Sequence, residues 1–148
     1  MYYPVFLDLR GKPVLVVGAG KVALRKVRGL LEAGAEVTVV SPGHLEEFQS
    51  LPVVLHRRRF RRSDISEQAL VFAATDVREV NQTVARAAEA ARIPVNVADA
   101  PEECGFLVPS RIRKGNLQVA VSTGGESPKL AVELRKRMEE VLSAATRM

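Results

Sequence analysis

Residues 13–42, PVLVVGAGKVALRKVRGLLEAGAEVTVVSP, decide the fold of this chain. PVLVV, residues 13–17, is a short continuous apolar run of the kind buried on both faces of a parallel sheet. It leads directly into Gly18-Ala19-Gly20-Lys21-Val22-Ala23, which fits G-x-G-x-x-A. In that pattern the first glycine permits a tight turn and the second lets a pyrophosphate approach the backbone. The small last residue lets helix and strand pack closely. Val22, Ala23, Val27, Leu30 and Leu31 then recur at helical spacing, with Arg25, Lys26 and Arg28 on the other face and Gly34 as the stop. Glu36–Val40 reads as a second strand, closed by Ser41-Pro42-Gly43. Strand, glycine turn, helix and strand form a βαβ unit. The helix start offers unpaired N–H groups and a partial positive charge to phosphates.

The alternation continues outward from this unit. Residues 44–50 read as a short helix, 52–56 as a third strand and 69–74 as a fourth, ending at Thr75-Asp76. Asp76 and Glu79 have the spacing of an acidic capping box, opening a helix with Val80, Val84, Ala87, Ala88 and Ala91 on one face. Residues 93–97 are a fifth strand. The fold class is therefore α/β, a Rossmann-type doubly wound parallel sheet that binds ligands at the carboxyl ends of its strands. Beyond Asp99 the pattern changes. Residues 106–109 and Leu117–Val121 read as two more strands about a turn at Lys114-Gly115-Asn116, followed by a glycine loop and a charged helix. The expected organisation is a dinucleotide-binding domain over residues 1–110 and a small strand-and-helix region over 111–148.

The chain has 148 residues, 47% hydrophobic and 26% charged, enough for one domain with a real core. No apolar run approaches the ~18 residues of a membrane helix, and MYYPVFLDLR has no signal-peptide pattern. The single cysteine, Cys104, excludes an internal disulfide and fits a reducing compartment, so a cytoplasmic location is expected. No Cys/His cluster, H-E-x-x-H or calcium loop is present, and no metal site is expected. Net charge is +5, part of it in HRRRFRR, residues 56–62. That cluster reads either as a solvated loop or as a magnet for a small anion or nucleic acid. No nucleic-acid motif accompanies it, and nucleic acid is not expected as a partner.

A dinucleotide fingerprint usually carries an Asp or Glu about 20 residues on, bonded to the ribose hydroxyls. Here the second strand ends in Ser41-Pro42-Gly43, with neither an acid nor a following arginine. The ribose is expected on the backbone of residues 41–43, which leaves NAD and NADP undistinguished. Asp99, just past the fifth strand, has two readings: a turn former before Ala100-Pro101, or a carboxylate at the sheet's functional edge.

Four segments in order, FLDLRGKPVLVVGAGKVALRKVRGLLEAGAEVTVVSP, FAATDVREVNQTVARAA, PVNVADAPEECGFLVPS and VAVSTGGESPKLAVELRKRME, resemble precorrin-2 dehydrogenase. That family is the dehydrogenase/ferrochelatase module of siroheme synthase. The resemblance spans residues 3–142. It implies NAD-dependent oxidation of precorrin-2 to sirohydrochlorin, and in some members iron insertion as well. The competing class is a nucleotide-sensing module without chemistry, which explains the glycine turn but gives no reason for Asp99. The resemblance places the catalytic aspartate on Asp99, with NAD contacts on Gly18, Gly20, Lys21, Val22, Ala23, Pro42, Gly43, Thr75 and Asp76. It places the tetrapyrrole beside Ser122, Thr123, Gly124, Gly125 and Ser127, a loop whose N–H groups suit an octacarboxylate. Many members continue with a further helical region past the point corresponding to Met148.

Oxidation of precorrin-2 releases a hydride, for the cofactor, and a proton, for which Asp99 is the expected general base, suited to that work by apolar walls. Asn96 has two readings, an orienting group for substrate or Asp99, and a buried strand-end amide. Leu130, Leu134, Met138, Val141 and Leu142 share one stripe of the last helix, which in this family joins two copies, so a homodimer is expected.

Overall fold

A computed structural model of the chain describes residues 1–145. Two compact units divide it, one from Pro4 to Phe106 and the other combining Met1–Tyr3 with the chain from Leu107 onward. In the first unit, β1 (Pro13–Val17), β2 (Glu36–Val40), β3 (Val54–His56), β4 (Leu70–Ala73) and β5 (Val95–Val97) form an all-parallel sheet in the order β3-β2-β1-β4-β5. Helices α1 (Lys21–Glu32) and α2 (Arg78–Ala90) supply the connections.

Both faces of the sheet are covered, which is why β1 is apolar at every position rather than at alternate ones. Val14 and Val16 join Ala23, Leu24, Val27 and Leu30 of α1 in one core. Leu15 and Val17 join Val84, Ala85, Ala87 and Ala88 of α2 in the other. The expected solvent face of α1 holds for Arg25 but not for Lys26. Lys26 is half-buried, its Nζ 5.4 Å from the centroid of Phe72 and donating to Asn96 Oδ1 at 3.0 Å. Its stem crosses apolar surface to reach that amide, and desolvation lowers its pKa below the usual lysine value.

Several expected elements are shorter than their apolar runs. The fifth strand starts at Val95 rather than 93, because Pro94 has no N–H to extend the ladder and contributes only a carbonyl to Val71 N–H. Residues 44–50 give a 3-10 turn at Glu46–Ser50. The acidic capping box does not form. The N-cap of α2 is Val77, and the Thr75 hydroxyl, not Asp76, accepts its N–H at 3.1 Å.

The arginine-rich segment after β3 is tied down by one of its own members. Arg58 makes a bidentate pair with Asp64, at 2.9 and 2.7 Å, and Asp64 also accepts Arg61 N–H at 2.8 Å. The Arg58 hydrogen bond holds the Asp64 carboxyl below its ordinary 3.8. A lowered folded-state value stabilises above the unfolded value and is lost as pH falls through the folded one. Asp64→Asn should therefore melt below wild type at neutral pH, with the two curves converging as pH drops below 3.8. Equal melting temperatures at neutral pH would show that the pair contributes nothing.

In the second unit, β6 (Ser110–Lys114) and β7 (Leu117–Val121) form an antiparallel hairpin, followed by α3 (Pro128–Ala145). Residues 106–109, expected as a strand, are irregular. The strand lies one step later, where Ile112 is buried between exposed Arg111 and Arg113, a period-2 pattern with a single apolar member.

Candidate active site

The carboxyl ends of the parallel strands place the glycine turn, residues 41–43, Thr75-Asp76 and Asp99 along one edge. Gly18 is the tightest point. Its φ is +113°, its N–H donates to Val40 O at 2.9 Å, and a Cβ there would stand 2.3 Å from Ala74 O. The turn therefore locks the ends of β1, β2 and β4 together. Gly20, the N-cap of α1, is different: its side chain position is open, with nothing within 4 Å. No side chain caps α1 and no acid stands in its first turn, so the N–H groups of Lys21, Val22 and Ala23 are left for a ligand. Those features fit a dinucleotide's pyrophosphate.

Beyond β2, Ser41 Oγ donates to Gly43 O at 2.6 Å and Ser41 N–H donates to His56 O at 3.1 Å. Leu45 N–H donates to Ala19 O at 3.0 Å, holding this loop against the glycine turn. In the same loop His44 Nε2 is buried without a hydrogen-bond partner among the described residues. Pro42 and Gly43 are exposed.

Asp99 follows β5 through Ala98, whose N–H donates to Ala73 O at 2.9 Å. The apolar walls expected around it are absent. Its side chain is 40% exposed and takes donors instead: Arg78 Nη1 at 3.1 Å and Asn81 Nδ2 at 3.0 Å, both on Oδ1. Among the described residues Oδ2 receives no hydrogen bond. Arg78 also pairs with Glu103. Asn96 is buried, accepting from Lys26 and donating to Phe106 O at 3.1 Å and to Cys104 Sγ at 3.6 Å. Asp99 is not among its partners.

Sequence reasoning passed over Asn81, which is fully buried in α2. Its Oδ1 accepts Thr75 N–H at 3.0 Å and the Thr75 hydroxyl at 2.8 Å, and its Nδ2 donates to Thr75 O at 3.0 Å as well as to Asp99. The available signal was a polar residue at position 81 inside the apolar stripe that Val84, Ala85 and Ala88 continue. Arg78 carried no comparable signal, because a basic residue in the first turn of a helix reads as solvent-facing.

In the second unit, the loop before α3 turns at Gly124 and Gly125, with φ of +69° and +90°. Ser122 Oγ accepts Gly124 N–H at 3.1 Å, and Thr123 Oγ1 accepts Ser127 N–H at 2.9 Å. Ser127 Oγ accepts Leu130 N–H at 3.3 Å, capping α3 one residue before Pro128. Part of the loop's donor set is thus spent on its own shape. Among the described residues no group of three or more His, Cys, Asp or Glu is placed to hold a metal, and no helix is long and apolar enough to cross a membrane.

Known proteins match this architecture along its length. A family model described as NAD(P)-binding covers residues 5–110, and one described as sirohaem biosynthesis protein central covers 114–140. The siroheme synthase of Nitrosomonas europaea is 46% identical over 97% of this chain and 31% of its own length. That of Methylobacillus flagellatus is 48% identical over 95% of this chain and 31% of its own. The chain thus spans about a third of the length of these curated relatives. The solved structure of SirC, precorrin-2 dehydrogenase, is 32% identical with a TM-score of 0.76, covering 97% of this chain and 71% of that one. With an NAD(P)-binding model over most of its length and a precorrin-2 dehydrogenase as structural neighbour, the chain belongs to the precorrin-2 dehydrogenase family, the module that also forms part of siroheme synthases.

Proposed function

We propose that this chain oxidises precorrin-2 to sirohydrochlorin with NAD. The observation that carries the reading is one sheet edge bearing both a phosphate-ready glycine turn and an anchored carboxylate with a free oxygen. When bound, NAD supplies the hydride acceptor. The protein's part begins with holding it: Gly18 shapes the turn, Gly20 admits the pyrophosphate, and the N–H groups of Lys21, Val22 and Ala23 donate to it. Residues 41–43 and Thr75-Asp76 flank the nucleotide on either side.

Asp99 takes the proton that the tetrapyrrole loses. Arg78 and Asn81 hold Oδ1, so Oδ2 is the atom that receives it. An anchored base loses little orientational freedom at the moment of reaction, which is where positioning contributes to rate. Asn96 fixes the strand from which Asp99 projects, and the loop from Ser122 to Ser127 is assigned to the tetrapyrrole's carboxylates. Residues 1–110 carry the cofactor and the region from residue 111 carries substrate loop and pairing. Purified protein given precorrin-2 and NAD without oxygen should accumulate sirohydrochlorin, followed by absorbance. Conversion no faster than in the enzyme-free control would overturn the reading.

The same reading includes a homodimer. On α3, Leu130, Leu134, Met138 and Val141 are 46%, 39%, 40% and 68% exposed, an apolar stripe that a second copy would cover. Sedimentation at micromolar concentration should give a dimer, and Leu134→Glu should shift it to monomer. A monomeric wild type contradicts this part.

A further inference from the structure

Among the described residues, Asn81 is the one fully buried polar side chain with a direct bond to Asp99. Burying an amide inside an apolar helix face is unfavourable unless every polar atom is paired, and an apolar residue packed against Val84 would avoid that cost. Here the pairing is complete and divided in two directions. One direction clamps Thr75, matching both its backbone N–H and its carbonyl as a neighbouring strand would. The other reaches Asp99 Oδ1. Thr75 belongs to the loop after β4, at the nucleotide's edge, and Asp99 to the loop after β5.

From this geometry we infer that Asn81 is a positioning residue, which sets where Asp99 stands relative to the cofactor loop. The inference rests on the dehydrogenase reading and deepens it. Because the amide plane is rigid, a shift of Thr75 on nucleotide seating is carried to Nδ2 and thence to the carboxylate. Arg78 supplies the second contact to Oδ1, but its side chain is 40% exposed and shared with Glu103, so it holds a charge near the site without fixing a direction. Asn81 fixes the direction.

The test is a double-mutant cycle. Asn81→Ala should lower kcat about 10- to 100-fold, the scale of a small misplacement of a reacting group. The substrate KM should stay within about threefold, and any rise in the NAD Kd, which would act through the released Thr75, should be smaller than the loss in kcat. In an Asp99→Asn background the same change should cost less than about twofold, because Asn81 acts through Asp99. An equal loss in both backgrounds, or no loss in either, overturns the inference. Should Asn81→Ala fail to fold, wild-type protein with 15N-labelled asparagine gives the answer without it. The Asn81 side-chain amide resonances should move on adding NAD, and again on Asp99→Asn substitution. Resonances that ignore both changes overturn the link. These resonances are readable without turnover, so a failed link is distinguishable from a chain that never oxidises precorrin-2.

Discussion

Asp99→Asn should lower the rate of sirohydrochlorin formation by ~10²–10⁴, the usual range for a lost general base. The substitution is close to silent for the fold. Both hydrogen bonds to this side chain end on Oδ1, which asparagine retains, and the amide nitrogen replaces the oxygen that no donor holds. Melting temperature should stay near wild type, and NAD affinity should change at most a few-fold because the pyrophosphate site we propose is the glycine turn, not this carboxylate. A turn-forming role for Asp99 makes a different forecast. Asparagine forms turns as readily as aspartate, so turnover would survive. Rate at saturating NAD, measured beside thermal melts, separates the two.

The glycine turn gives the second large effect, with its two glycines failing in opposite ways. Gly18→Ala places a Cβ 2.3 Å from Ala74 O and 2.6 Å from Ala74 C, both rigid backbone, at a φ of +113°. Relief requires parting β1 from β4 where Ala74 N–H donates to Val17 O at 2.8 Å. A loss on the order of 4 kcal/mol is expected, a large fraction of the stability of a domain this size. Gly20→Asp meets no clash, because its φ is −91° and its Cβ space is open. Aspartate is moreover a favoured N-cap, so that variant should fold at least as well as wild type. Its carboxylate, however, would occupy the proposed pyrophosphate site. Like-charge contact costs several kcal/mol, and NAD affinity should fall more than ~100-fold by calorimetry. A folded Gly20→Asp protein with unchanged affinity would move the cofactor off this turn.

These contrasts show why part of the molecule was legible from residues alone. β1, the glycine turn and α1 follow from local rules, since continuous burial, a tight turn and a 3.6-residue period each leave a mark in sequence. Asp99 was visible because a strand end is a nameable place. Its surroundings were not. Arg78 and Asn81 reach it from 21 and 18 residues earlier in the chain, through a sheet order that places β5 beside β4, and a periodicity argument has no access to such partners. Lys26 failed for a related reason. A helical wheel sends it to solvent, while its long stem carries the ammonium across Phe72 to Asn96. The 106–109 segment shows the reverse case: its apolar run predicts a strand but is irregular, while the strand forms over the charged Ser110–Lys114 beside it. Tertiary pairing, rather than hydrophobicity, made that choice.

Hydride accounting tests the central proposal most directly. Wild-type protein is mixed with precorrin-2 and limiting NAD under strict exclusion of oxygen, and NADH and sirohydrochlorin are followed together. The proposal predicts one NADH for every sirohydrochlorin formed, with formation stopping when NAD is exhausted. Sirohydrochlorin appearing without matching NADH, or neither product appearing above the enzyme-free control, would contradict it.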